Sequence, residues 1–170
     1  MLAPQWRDAR IGSMGEGSWK GIYSLFAIVG LALIIWGYAQ ARPEADILYV
    51  TPTWTRHIAI LLMAFSFIAM MAFNLGPSRI KHYLQHPFLV SIKLWAAAHL
   101  LANGDSASVL LFGSFLVWAV WNRIAVSKRG GQRPAIGPVT NDLAATASGL
   151  LLWVLFIWKA HEWLFGVSPL

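Results

Sequence analysis

Five apolar runs separated by short polar punctuation organise this chain. Four are long, Gly21 to Ala39, Ile58 to Leu75, Val109 to Val126 and Leu143 to Phe165. Each falls within the roughly 17–25 apolar residues that a helix needs to cross the hydrocarbon core of a bilayer. The fifth run, Pro87 to Ala102, is shorter and carries Lys93 and His99. At about 1.5 Å per residue it covers only about 24 Å, which predicts a thin span or one shielded by its neighbours. Between the runs stand Arg42-Pro43-Glu44, Thr51-Pro52, Gly76-Pro77, Asn103-Gly104-Asp105 and a loop from Gly130 to Pro138, all turn or breaker chemistry. The pattern predicts an all-α, polytopic transmembrane bundle of about five spans, forming a single domain over 1–170 behind a polar lead-in, 1–19.

Charge then orients the bundle. Arg7, Arg10 and Lys20 precede the first span, Arg79, Lys81 and Lys93 surround the link from the second to the third, and Arg123, Lys128, Arg129 and Arg133 follow the fourth. Short cytoplasmic loops carry the excess of Lys and Arg, so the N-terminus is expected in the cytoplasm and the C-terminus on the opposite side. Arg123 reads in this frame as an anchor at a span end. The first eighteen residues contain no apolar stretch of the kind a secretory signal needs, so the first span is expected to do its own targeting.

Composition agrees: 58% of residues are hydrophobic and 12% charged, far from the quarter or so of charged residues in a soluble domain. The net charge of +6 sits in the loops and is topology information, with no sign of a nucleic-acid partner. There is no Cys, which removes disulfides, thiolate nucleophiles and Cys-bound metals, leaving His, carboxylates or backbone to hold any cofactor. Ten Trp are present, many near span ends, where interfacial indoles belong without needing a ligand.

Chemistry is concentrated between Arg79 and Asp105. Ionisable groups within a span are costly and therefore candidate functional groups. On a helix beginning at Pro87, Ser91, Trp95, His99 and Asn103 follow at four-residue steps and form one stripe expected to face protein. His57 opens the second span and His161 closes the last on the same side as His99, so three imidazoles are expected in one layer, a set able to hold a haem or a metal ion. Ala96, Ala97 and Ala98 beside His99 permit close approach of a helix or a flat macrocycle. His82 and His86 are four apart, but Pro87 biases His86 away from helical geometry, so they are expected to lie in a loop without a shared face. Asn103-Gly104-Asp105-Ser106 is expected to end one helix and cap the next.

Several stretches resemble a known family. They are GEGSWKGIYSL at 15–25, TPTWTRH at 51–57, HPFLVSIKLWAAAHLLANGDSASVLLFGSFLVWAV at 86–120, GPVTNDL at 137–143 and the tail HEWLFGVSPL. Together they resemble the NnrU family of bacterial integral membrane proteins over nearly the whole chain. The resemblance implies an inner-membrane protein associated with denitrification, in or around nitrite and nitric oxide reduction. The same superfamily includes 15-cis-ζ-carotene isomerase, a haem-dependent enzyme whose His-Pro and Trp-x-x-Ala-His pattern maps to His86, Pro87, Trp95, Ala98 and His99. That likeness implies haem b with His99 as axial ligand, and as an alternative a cis-trans isomerase acting on a hydrophobic polyene; a cofactor-free assembly or accessory protein is the second alternative. Asp105 and Asn103 belong to the same shared motif. Relatives carry a further apolar helix upstream, ending in a His-Ser pair that would supply the opposite axial ligand. On this resemblance the sequence starts after that helix, so a haem is expected to be held, more weakly, by His99 alone or with His57 or His161 recruited. Ala96 stands where the isomerase has Cys.

Overall fold

The computed structural model describes residues 4–128, 130 and 132–170; Arg129 of the basic loop, together with Leu2 and Ala3, lies outside the described residues. The chain divides into two compact units, 1–46 and 47–170. In the first, the expected lead-in forms a helix, α1 (Pro4–Met14), and the first span is longer than predicted, α2 (Glu16–Ala41), closing in a 3-10 turn at Arg42–Glu44. Trp6 meets Trp19 edge-on at 5.7 Å, and Lys20 pairs with Glu16 one helical turn away at 2.8 Å.

The second unit contains α3 (Thr53–Asn74), α4 (Arg79–Leu84), α5 (Pro87–Ala102), α6 (Ser106–Lys128), α7 (Val139–Leu155) and α8 (His161–Phe165). The link between the second and third spans is thus partly helical, which places His82 on α4 and corrects the loop expected there. The last span is also corrected: a π-turn at Phe156–Ala160 separates α7 from α8 where one continuous α-helix was expected. Four helices, counting α2, are long and apolar enough to cross a membrane, and α5 is a shorter apolar helix with the bounds the sequence predicts. Among the described residues there is no strand, only an isolated bridge between Ile47 and Asp105.

Within this unit α3 packs on both α5 and α7, and α5 packs in turn on α6. The core is made of small side chains. Ala59, Ala64, Ala69 and Ala72 of α3 are buried, as are Ala96 and Ala98 of α5, Ala119 of α6 and Ala145 of α7, while Leu61, Phe65, Leu110, Trp121 and Leu151 are exposed. This inverts the order of a water-soluble protein, and the physics of a bilayer explains it. Lipid is as apolar as leucine, so helices associate through close backbone approach and hydrogen bonds. Gly149 of α7 is an instance, since a Cβ there would stand 2.7 Å from the Ile68 Cα. The serines supply the hydrogen bonds: buried Ser66 on α3 donates to the Ser91 carbonyl on α5 at 2.9 Å. Trp153 Nε1 donates to the Ile60 carbonyl at 2.9 Å, tying α7 to α3.

Candidate functional site

Helix α5 carries the site, and its ends are set by local chemistry. Pro87 occupies the first turn, where its missing N–H costs nothing, and holds His86 at φ −130°, ψ 68°, outside the helix. At the other end Asn103 turns extended, and Asp105 Oδ1 accepts the Ser108 N–H at 2.8 Å to start α6. Both features agree with the sequence reading.

The stripe Ser91, Trp95, His99 and Asn103 faces protein. Trp95 meets Phe112 and Phe115 of α6 edge-on at 5.0 and 5.3 Å, and His99 stacks on Phe112 at 4.4 Å with 27° between the planes. His99 Nδ1 lies 2.8 Å from the Trp95 carbonyl, which can only accept, so Nδ1 carries the proton and Nε2 the lone pair. Asn103 Nδ2 donates to the His99 carbonyl at 2.9 Å, tying the end of the stripe to the imidazole's own backbone.

His161 reaches the same place by two backbone devices. The π-turn adds a residue to one turn and so rotates the residues beyond it by about 100° relative to a regular α-helix. Gly166 then adopts the left-handed conformation, φ 70°, that ends α8, with its N–H on the Glu162 carbonyl at 2.8 Å. The reversal brings the Val167 carbonyl back to His161 Nδ1 at 2.7 Å. The rings of His99 and His161 are 6.3 Å apart with 29° between their planes. Among the described residues neither Nε2 has a hydrogen-bond partner, and both imidazoles are of the same tautomer, with the lone pair on Nε2.

The third imidazole of the expected layer does not join them. Thr55 and Ala59 are the buried positions of this end of α3, and His57, two residues or about 200° from Thr55, is exposed. His86 and Pro87 lie at the far end of α5, about 20 Å from His99 by helical rise, and belong to different surroundings. His82 Nδ1 donates to the Pro134 carbonyl at 2.7 Å and shares no face with His86.

Sequence reasoning missed the clasp that fixes the His99 end of α5. The last carbonyls of a helix lack intrahelical partners. Here the segment 48–55 supplies them. Tyr49 Oη shares its proton between the Leu100 and Asn103 carbonyls, Thr55 Oγ1 reaches the Leu101 carbonyl at 2.8 Å, and the N–H groups of Leu48 and Tyr49 donate to the Gly104 carbonyl at 2.8 and 3.2 Å. Partial burial, and then the Asp105 carboxylate, push the Tyr49 hydroxyl pKa above its ordinary value. The only signal for this clasp is a Tyr and three Thr just before an apolar run, which by itself reads as a span boundary.

Among the described residues no group of three or more His, Asp or Glu side chains is placed to hold a metal ion. A haem brings its own four ring nitrogens and asks for one or two axial imidazoles, which His99 and His161 can provide. Two imidazoles on one metal need a separation of this order, two bonds of about 2 Å plus the ring radii. In addition, each Nδ1–H already rests on a backbone carbonyl, the usual outer contact of a metal-binding histidine. The residues present fit the group.

Comparison with curated proteins and with solved structures gives no match. The family model described as NnrU protein matches residues 1–169. A match over that extent, on an all-helical chain with membrane-length apolar helices, makes this chain a member of the NnrU family.

Proposed function

We propose that this chain is a haem-binding protein of the bacterial inner membrane, N-terminus in the cytoplasm, that serves nitrite and nitric oxide reduction in denitrification. The observation that carries the haem assignment is the pairing of His99 with His161, each with Nδ1–H on a carbonyl and Nε2 free. His99 and His161 would hold the haem iron, each through its Nε2. A haem so held would supply an iron centre for one-electron transfer. The chain's own residues set its surroundings: Phe112 and Trp95 keep water from the ring of His99, and the carbonyls of Trp95 and Val167 fix both tautomers. The denitrification role rests on family membership.

The test is a visible spectrum of protein purified in detergent after haem-replete expression. A Soret band in the parent and its loss in His99→Ala are expected, with His161→Ala retaining haem in a spectrum altered by loss of one axial imidazole. A parent without a Soret band overturns the haem reading and leaves an assembly role, while a band indifferent to His99→Ala overturns the ligand. For the physiological role, a deletion strain is expected to consume nitrite or nitric oxide more slowly and to be rescued by the parent gene.

A further inference from the structure

At the opposite end of α5 from His99, the chain builds a second polar arrangement that haem binding does not use. Gln85 adopts φ 61°, ψ −46°, and the His86 N–H donates to the Leu84 carbonyl at 2.7 Å. This is a γ-turn of the rare, strained hand. Strain of this kind persists only where its surroundings impose it and gathers at functional positions. What it achieves here is to hold the Gln85 side chain against α6, where Oε1 accepts from the Arg123 guanidinium at 2.9 Å.

Arg123 is half-buried, beside His86, and has no carboxylate partner. Among the described residues the ion pairs are Arg7 with Asp8, Lys20 with Glu16 and Lys159 with Glu162, none at this place. Asp142, at the start of α7, is bonded instead to the backbone N–H groups of Arg79 and Ile80. A guanidinium held by a neutral amide and, through Nη1, by the Ser127 hydroxyl keeps its full charge and further N–H donors for an incoming anion. Burial and then the Arg123 charge hold the pKa of His86 below its usual value, which keeps the imidazole neutral beside the guanidinium.

An apolar groove adjoins this charge. On α6, Leu116, Val120 and Arg123 follow along one line of the helix. Beside them lies an open groove of about 240 Å³, lined by Leu116, Val117, Val120, Trp121 and Ile124. It continues, through the shared Val117 and Trp121, into a larger one of about 600 Å³ over Gly113. The groove has almost no polar lining, and its charged end is cationic.

We infer that this face of α6 is a binding site for one anionic phospholipid, its phosphate on Arg123 and His86 and an acyl chain along the groove over Val117 and Gly113. Charge complementarity selects the occupant. A zwitterionic lipid brings a cation next to Arg123, and a partner helix without an acid leaves the guanidinium unanswered. The site is independent of the histidine pair.

The experiment is native mass spectrometry of the full chain released from nanodiscs containing equal phosphatidylglycerol and phosphatidylcholine. The parent is expected to retain one phosphatidylglycerol with a preference of about tenfold, the scale of one charge-assisted hydrogen bond. Arg123→Gln is expected to abolish the preference and Arg123→Lys to keep part of it. Gly113→Leu adds a side chain where a Cβ meets nothing within 4 Å, so it fills the groove in a folded protein and is expected to lower retention with Arg123 intact. Soluble glycerol phosphate, a head without a tail, is expected not to compete. Equal retention of the two lipids, an Arg123→Gln protein that still prefers phosphatidylglycerol, displacement by glycerol phosphate, or a lipid-free dimer in the spectrum would each overturn the site.

Discussion

The two ends of α5 solve the same problem, polar groups at the edge of a membrane-grade bundle, by different chemistry. At the His99 end the last carbonyls of α5 are met by neutral side chains, Tyr49, Thr55 and Asn103, and His99 and His161 also donate to main-chain oxygens, while the Asp105 carboxylate serves the start of the next helix. Around the His86 end charge finishes the neighbouring helices, with Asp142 accepting the first N–H groups of α4 and Lys81 Nζ donating to the Leu75 carbonyl at the end of α3 at 2.7 Å. The difference teaches that a helix terminus finished with neutral donors leaves imidazole lone pairs available, a ligand's chemistry. A terminus finished with charges leaves cations available, an anion receptor's chemistry.

The sharpest way to break this comparison is His99→Ala, which is expected to lose haem by more than the roughly 10–100-fold that removing a supporting hydrogen bond costs a metal site. In the same preparations Arg123→Gln is expected to leave the absorption spectrum unchanged, and a joint loss would merge the two ends into one site. Gly149→Leu attacks what the ends share. With Ile68 backbone within 3 Å of an added Cβ, overpacking should cost about 1–3 kcal/mol or more, read as a lower thermal midpoint with haem and lipid retention falling together.

Smaller effects report on one end at a time. Tyr49→Phe should destabilise by about 0.5–1.5 kcal/mol, toward the lower figure because the side chain is partly exposed, in a denaturation series in detergent. Its pH dependence has a definite sign. A folded-state pKa raised above the ordinary value near 10 means that this contribution is complete below that pH and is lost as pH climbs through the folded pKa. Tyr49→Phe should therefore show a smaller alkaline loss than the parent. At the other end the sign reverses: His86, with its pKa lowered, contributes stability above about pH 6.5 that fades as pH falls through the folded pKa. Proton NMR of the imidazole should show Arg123→Gln moving that titration up toward the ordinary value, and no movement would separate Arg123 from His86.

The sequence was most legible where a rule acts within a turn or two. Pro87 and Asn103 bracket α5 at the predicted residues, Asp105 caps α6, and His86 lies outside the helix, because each outcome is decided by a neighbour a few positions away. Legibility failed over longer separations. Tyr49 and Thr55 act on carbonyls about fifty residues ahead, and the Gln85 to Arg123 contact spans 38 residues, distances at which no periodic pattern carries information. The expected three-histidine layer keeps only two of its members, His99 and His161, for the same reason. Sequence position places His57 at the right end of its span, but only the packing of Thr55 and Ala59 turns it outward.

Composition and periodicity by themselves determined that this chain is a bundle of apolar helices, where those helices begin and end to within a few residues, and that His99 is an imidazole on a protein-facing stripe. They are able to do so because the bilayer leaves a backbone few options and hydropathy states which segments take them. Only the tertiary structure decided which imidazole stands beside His99. A π-turn and a left-handed glycine, neither visible in an apolar run, rotate and fold the last helix until His161 lies there, and a strained turn at Gln85 fixes Arg123 at the other end. These are choices of backbone geometry, stabilised by contacts between residues far apart in the chain, and the order of residues alone does not contain them.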